Sequence, residues 1–157
     1  PVVFIDYLQL LKPESDRDTD KQATDKNMMA LRQMARDMRA PVFVISSLNR
    51  SSYSGSISLD SFKESGAIEY GADVLMGLQP EGMTERLEGV SESKTKAEAN
   101  KIMRETKSAT ERACEIVILK QRSGTIPARG IPLTFHPAAS MFEDGVAGYE
   151  ASRPRVI

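Results

Sequence analysis

The chain has 157 residues, of which 40% are hydrophobic and 27% charged, with 21 Lys and Arg against 22 Asp and Glu, one Cys and no Trp. Those values fit one globular domain with its own core and exclude a disordered chain or a disulfide-built miniprotein, and no run approaches the ~20 apolar residues of a membrane-spanning helix. A net charge of -1 gives no overall electrostatic footprint for nucleic acid, so such binding has to come from a local patch or from repeated subunits. The lone Cys114 sits in an apolar run and reads as a small buried hydrophobe of a protein in a reducing cytosol, which makes a cytoplasmic location the expectation.

Pro1 is followed at once by Val2, Val3, Phe4 and Ile5 and then Asp6, an all-apolar run that predicts a strand buried on both faces. With no Met and no polar approach before it, the expectation is a fragment whose preceding strands lie elsewhere. Residues 18–20 supply turn and capping types, and Leu31, Met34, Ala35 and Met38 recur at helical spacing, predicting a helix that stops before Pro41. Val42 to Ile45 make a second buried strand, so the order is strand, helix, strand, which implies parallel pairing.

Residues 51–61 hold six serines and a Gly and predict an exposed, mobile loop. A short helix or turn over 62–70 and a third strand over 72–78 follow. The segment 81–112 carries seven acidic and seven basic residues with a thin apolar stripe at Ala99, Ile102, Met103 and Ala109, the pattern of a solvated helix with one packed side. Residues 114–119 and 131–135 give two more strands, and the Gly- and Pro-containing loop between them predicts an antiparallel pair near the C-terminus. The sequence shows no internal repeat.

Asp6 at the carboxyl end of an apolar strand stands where open parallel sheets bind ligands, and it suits holding the magnesium of a nucleotide. An Asp there also caps loops, and the pattern alone does not choose. What distinguishes it is the ordered set VVFIDYLQLL, VFVISSLNRS, FKESGAIEYGADVLMGL and ILKQRSG, of which ESGAIEYGAD is the most specific piece. Together these resemble the later motifs of the DnaB-type replicative helicase family, over most of the chain outside 81–112. The resemblance implies an α/β, RecA-like P-loop NTPase core over 1–157 that lacks its N-terminal P-loop portion. Its sheet would be mostly parallel and flanked by helices, with an antiparallel strand pair near the C-terminus and a charged helical insertion at about 81–112. It also implies an ATP-dependent helicase that assembles as a homo-hexamer around single-stranded DNA and moves 5′ to 3′, with primase and a helicase loader as partners.

By motif position, the resemblance makes Asp6 the Walker B carboxylate that holds Mg2+ mostly through water. Lys120 and Arg122 become the pair that reaches the neighbouring subunit's ATP, where a guanidinium stabilises the charge of the transferring phosphoryl group; alternation puts both on one strand face. Residues Lys63, Glu64, Ser65 and Gly66 correspond to the loop that grips DNA phosphates, with Arg50 on a second channel-facing loop. Phe135 falls where phage members present an aromatic to adenine, although core packing is the preferred reading. Ser47 stands where the family carries Gln to sense the γ-phosphate, and it is too short for that task unless water bridges. No Gly-Lys pair occurs in the chain, so a G-x-x-x-x-G-K-[ST] loop is absent and ATP hydrolysis by these residues alone is not expected. His136, the one histidine, has no Cys or second His nearby and makes no metal site. Two other readings stay open: a RecA-like recombinase motor, and a non-catalytic DNA-binding or ring-assembly module with a degenerate nucleotide site.

Overall fold

The structure is a computed structural model, and it describes residues 1–12, 15, 17–62 and 65–145. Its elements in chain order are β1 (Val3–Ile5), α1 (Asp20–Met38), β2 (Val42–Val44), α2 (Ser65–Gly71), β3 (Val74–Pro80), α3 (Met83–Leu87), α4 (Glu92–Ser108), β4 (Arg112–Gln121), β5 (Ile131–His136) and β6 (Met141–Asp144), with short 3-10 turns at Leu8–Leu10, Arg50–Ser54 and Leu59–Ser61. The chain divides into two compact units: residues 1–53, 57–75 and 119–126 form the first, and residues 54–56, 76–118 and 127–157 the second.

In the first unit, β1 and β2 pair in parallel, with Phe4 opposite Phe43, and α1 is the crossover. Thr19 starts α1 by a capping box, accepting from the Gln22 backbone while the Gln22 side chain accepts from the Thr19 N–H. Arg39 ends it in the left-handed region at φ 47°, just before Pro41 bars continuation. The core gathers Leu8, Phe62, Ile68 and Leu75, with Met28, Leu31, Val44 and Leu119 packed around them.

The strand pair departs from the expected burial. Val3, Ile5 and Val44 turn inward, but Phe4 is 75% and Phe43 45% exposed, the two rings stacked at 5.1 Å. Alternation sends odd and even residues to opposite faces, and among the described residues only one face is covered.

The serine-rich loop also differs from its expected exposure. Ser61 is buried, and its hydroxyl accepts from the Ser58 N–H at 2.8 Å. Ile57 and Leu59 reach the core, so the serines cap short turns and the apolar residues between them anchor the loop.

In the second unit, α3 and α4 form a helical hairpin around fully buried Met83, Ala99 and Ile102, with Met103 half-buried. The thin stripe therefore packs within the chain. Ala109 alone of its four members lies past the helix end and is exposed.

The strands β3 to β6 form one sheet in the order β3-β4-β5-β6. The β4–β5 and β5–β6 pairs are antiparallel, and backbone bonds joining residue 81 to 113 and residue 122 to 73 give β3 and β4 the same opposed sense. The α/β class holds, while the antiparallel part is larger than the strand pair expected, and parallel pairing is confined to β1 and β2 among the described residues. The reason is connectivity: the α3–α4 hairpin returns the chain beside β3 without a crossover, and the tight turn at 137–140 adds β6, which has no clear signal in the sequence.

Buried Glu115 on β4 accepts from Gln79 Nε2 at 2.7 Å, and the same amide donates to Thr84 Oγ1 at 3.1 Å, linking β3 and β4 to α3. Burial pushes the Cys114 thiol up, partly opposed by Arg112, in keeping with an unreactive packing residue.

Candidate functional site

The candidate nucleotide and DNA residues of the first unit lie on the segments that leave β1 and β2, at the start of α2 and at the end of β4. Asp6 leaves β1, and its carboxylate is exposed with no hydrogen bond or ion pair among the described residues; the Asp6–Tyr7 peptide is cis. The parallel β1–β2 pair ends in backbone bonds that carry the two exits side by side: Ile45 N–H donates to the Ile5 carbonyl at 2.9 Å, and Leu8 N–H to the Ile45 carbonyl at 2.8 Å.

Gln9 then bridges the two loops. Its Nε2 donates to Ser46 Oγ at 3.0 Å, and its Oε1 accepts from the Ser47 backbone N–H at 3.2 Å. Ser47 is thereby held beside the Asp6 loop with its side chain exposed. Sequence reasoning missed Gln9; an amide can donate to a hydroxyl and accept from a backbone N–H at once through two separate atoms, which is the available signal.

Lys120 and Arg122 are placed from the end of β4. The Lys120 ammonium donates to the Glu69 carbonyl of α2. The Arg122 Nε lies 3.0 Å from Asp73 Oδ1, with both side chains well exposed. Asp73 was not expected at the site, although it is the final residue of the quoted ESGAIEYGAD segment. An acid at the mouth of β3, facing a cation one strand away, could have suggested it.

The second loop is tied at its base by Asn49, whose Nδ2 donates to the carbonyls of Asp60 at 3.0 Å and Phe62 at 3.1 Å, while its N–H donates to the Ser61 carbonyl at 2.8 Å. Arg50 follows immediately and is exposed. Lys63 and Glu64 lie outside the described residues. Ser65 begins α2, and at exposed Gly66 no atom of the described residues lies where a Cβ would stand, a position that suits close approach to the backbone.

Phe135 belongs to the second unit. Its ring packs on Phe142 at 4.6 Å, and the Arg112 guanidinium lies 6.0 Å from its centroid. Neighbouring His136 approaches Glu143 at 3.3 Å and Glu111 at 3.9 Å. Among the described residues no group of three or more His, Cys, Asp or Glu could hold a metal ion, and no helix is long and apolar enough to cross a membrane.

A parallel strand ending in an exposed carboxylate with a polar loop beside it, and two anchored cations at the end of β4 in the other sheet, are an arrangement that suits a RecA-like domain. Comparison with known proteins agrees: the family described as DnaB-like helicase C terminal domain matches residues 1–144, and the chain belongs to that family. The replicative DNA helicase DnaB of Rickettsia bellii (strain RML369-C) is 28% identical over 145 residues, covering 90% of this chain and 29% of that protein. The protein of the same name from Leifsonia xyli subsp. xyli (strain CTCB07) is 27% identical over 146 residues, covering 91% and 27%. Among solved structures, one described as an ATPase domain superimposes with a TM-score of 0.67 at 26% identity, covering 93% of this chain and 44% of that one. A DnaB-like replicative helicase described with its interactions with primase gives 0.62 at 27% identity, covering 87% and 29%. The chain thus spans under a third of the length of these curated relatives.

Proposed function

We propose that this chain is the part of a replicative helicase that completes ATP sites between subunits and grips single-stranded DNA. The observation that carries this reading is the pair of anchored cations, Lys120 and Arg122, at the end of β4. In a head-to-tail ring each subunit presents one face to the next subunit's nucleotide, so one site draws on two chains.

Asp6 then serves the subunit's own nucleotide. A single exposed carboxylate with free oxygens fits magnesium held through water, the remaining ligands being nucleotide and solvent. Magnesium and ATP supply the phosphoryl chemistry; the residues here orient and neutralise it. Arg122, prevented from wandering by Asp73, offers its remaining guanidinium N–H groups to the spreading charge of the transition state. Lys120 adds a point charge on the same strand face. Gln9 couples Asp6's loop to Ser47, so a change at the nucleotide can be passed along the segment after β2 to the loop that Asn49 closes and Arg50 opens. Arg50, the 63–66 segment and the accessible backbone at Gly66 contact DNA phosphates. A homo-hexamer multiplies this modest contact six-fold, which reconciles DNA binding with a net charge of -1.

These residues include no phosphate-cradling loop, so hydrolysis requires the full-length protein, and a cytosolic setting with primase and loader as partners follows from the same reading. The absent Gly-Lys pair and Ser47 also favour a second reading, a ring-assembly module without turnover. ATP-dependent separation of a forked duplex by the full-length protein tests the choice: unwinding supports the helicase, and salt-sensitive binding of single strands with no response to ATP supports the module.

A further inference from the structure

The helical hairpin of the second unit carries a groove that the ATP and DNA assignments above do not use. It is lined by Arg86, Val90, Lys94, Ala97, Glu98, Lys101 and Arg104. Arg86 is committed to the hairpin itself, lying 2.9 Å from Glu105 and 3.5 Å from Glu98. That leaves Lys94, Lys101 and Arg104 with little to neutralise them: Lys101 reaches Glu98 only at 4.0 Å, and Lys94 and Arg104 form no ion pair among the described residues. Glu98 and Glu105 face Arg86 most closely and also feel Lys101 and Arg104, so Arg86, Lys94, Lys101 and Arg104 stand against two carboxylates and the groove is cationic in balance.

The three cations stand at positions i, i+7 and i+10 of α4 and therefore share one face over a span of ~15 Å. A DNA strand carries a phosphate every ~3.4 Å along a duplex axis, about four over that length. Between the cations Val90 and Ala97 give an uncharged floor, which suits sugars and requires no buried polar partner. Three cations spread over that length can engage several phosphates of one strand, more than a single phosphate would occupy.

We propose that the α3–α4 groove is a second contact with the sugar-phosphate backbone of DNA, made by residues other than those of the Arg50 and Gly66 loops. The proposal rests on the helicase reading only for the identity of the polyanion. The insertion's equal count of acids and bases hides it, because folding sorts the charges: Arg86 draws Glu98 and Glu105 together, and α4 presents Lys94, Lys101 and Arg104 on the groove side, with Lys96 and Lys107 outside the lining.

The test is binding of fluorescent oligo-dT by the full-length protein across ~50 to 200 mM salt, comparing wild type with a Lys94→Gln, Lys101→Gln, Arg104→Gln triple variant and with Arg50→Ala. Gln keeps helix propensity, so α4 persists. The expected result is weaker binding by the triple variant and a log-log salt slope shallower by about two, three contacts at ~0.7 each, with a Lys94→Arg, Lys101→Arg control retaining the wild-type slope. An unchanged slope in the triple variant, while Arg50→Ala weakens binding, overturns the groove and leaves the helicase reading standing; an acidic protein segment would then be the occupant to seek. No oligo-dT binding by wild type at any salt overturns both.

Discussion

Arg122 is tied to Asp73 twice: its Nε lies 3.0 Å from the carboxylate, and its backbone N–H donates to the Asp73 carbonyl at 2.9 Å. The backbone bond fixes the end of β4 beside the start of β3, and the ion pair fixes the direction of the guanidinium. One guanidinium edge is thus held by Asp73, while the other has no partner among the described residues.

Under the proposed function Asp73 is a positioning residue, acting through Arg122. Asp73→Asn in the full-length protein keeps the backbone bond and loses the charge that orients the guanidinium. The expected outcome is a fall of ~10- to 100-fold in kcat with little change in KM for ATP, the cost of a misplaced reacting group, and partial rescue by Asp73→Glu. Unfolding stability should change by no more than ~1 kcal/mol, because the pair is exposed. Steady-state kinetics beside chemical denaturation separates the two roles; a large stability loss with normal kcat would make Asp73 merely structural.

Ile102 is fully buried between α3 and α4. Ile102→Ala should cost ~2 to 5 kcal/mol, by lost burial and the cavity left behind. Urea denaturation of the full-length protein, followed by a probe on the hairpin, reads that loss directly. A cost well under ~1 kcal/mol would show that the hairpin is not packed as described.

The hydrogen bond from Arg86 holds the Glu105 carboxyl below its ordinary value of 4.5, with burial opposing it only in part. A depressed folded pKa gives stability that is fully present above the unfolded value and is lost as pH falls through the folded one. The difference in denaturation midpoint between wild type and Glu105→Gln should therefore be constant from neutral pH down to about 4.5 and disappear below it. A difference that grew on acidification would contradict the pairing.

Much of the architecture was legible because it rests on short-range chemistry. Val42 to Val44 read as a strand from their apolar, β-branched run, and α1 from its stripe and the following Pro41. Burial was less legible: whether Phe4 lies inside depends on what covers the second face of β1, which no local pattern states. β6 escaped notice because Met141–Asp144 is exposed throughout and forms through pairing with β5, a tertiary effect. At the candidate site, Asp6, Ser47, Lys120 and Arg122 were singled out by motif resemblance, and the structure adds an environment for three of them: Ser47 has its bond to Gln9, Lys120 its carbonyl and Arg122 its acid. Gln9 and Asp73 were not found, because each acts by touching a residue far away in sequence.

Central to the proposed function is an ATP site completed by two subunits, Asp6 from one and Arg122 from the next. Full-length rings of Asp6→Asn or of Arg122→Ala alone should have almost no DNA-stimulated ATP hydrolysis, while both variants still assemble. Mixed in equal parts and allowed to exchange subunits, they should recover roughly a quarter of wild-type turnover, since in a head-to-tail ring that share of interfaces joins an intact Asp6 to an intact Arg122. Mixed rings that exchange subunits yet stay as inactive as either parent would contradict a site shared between neighbours.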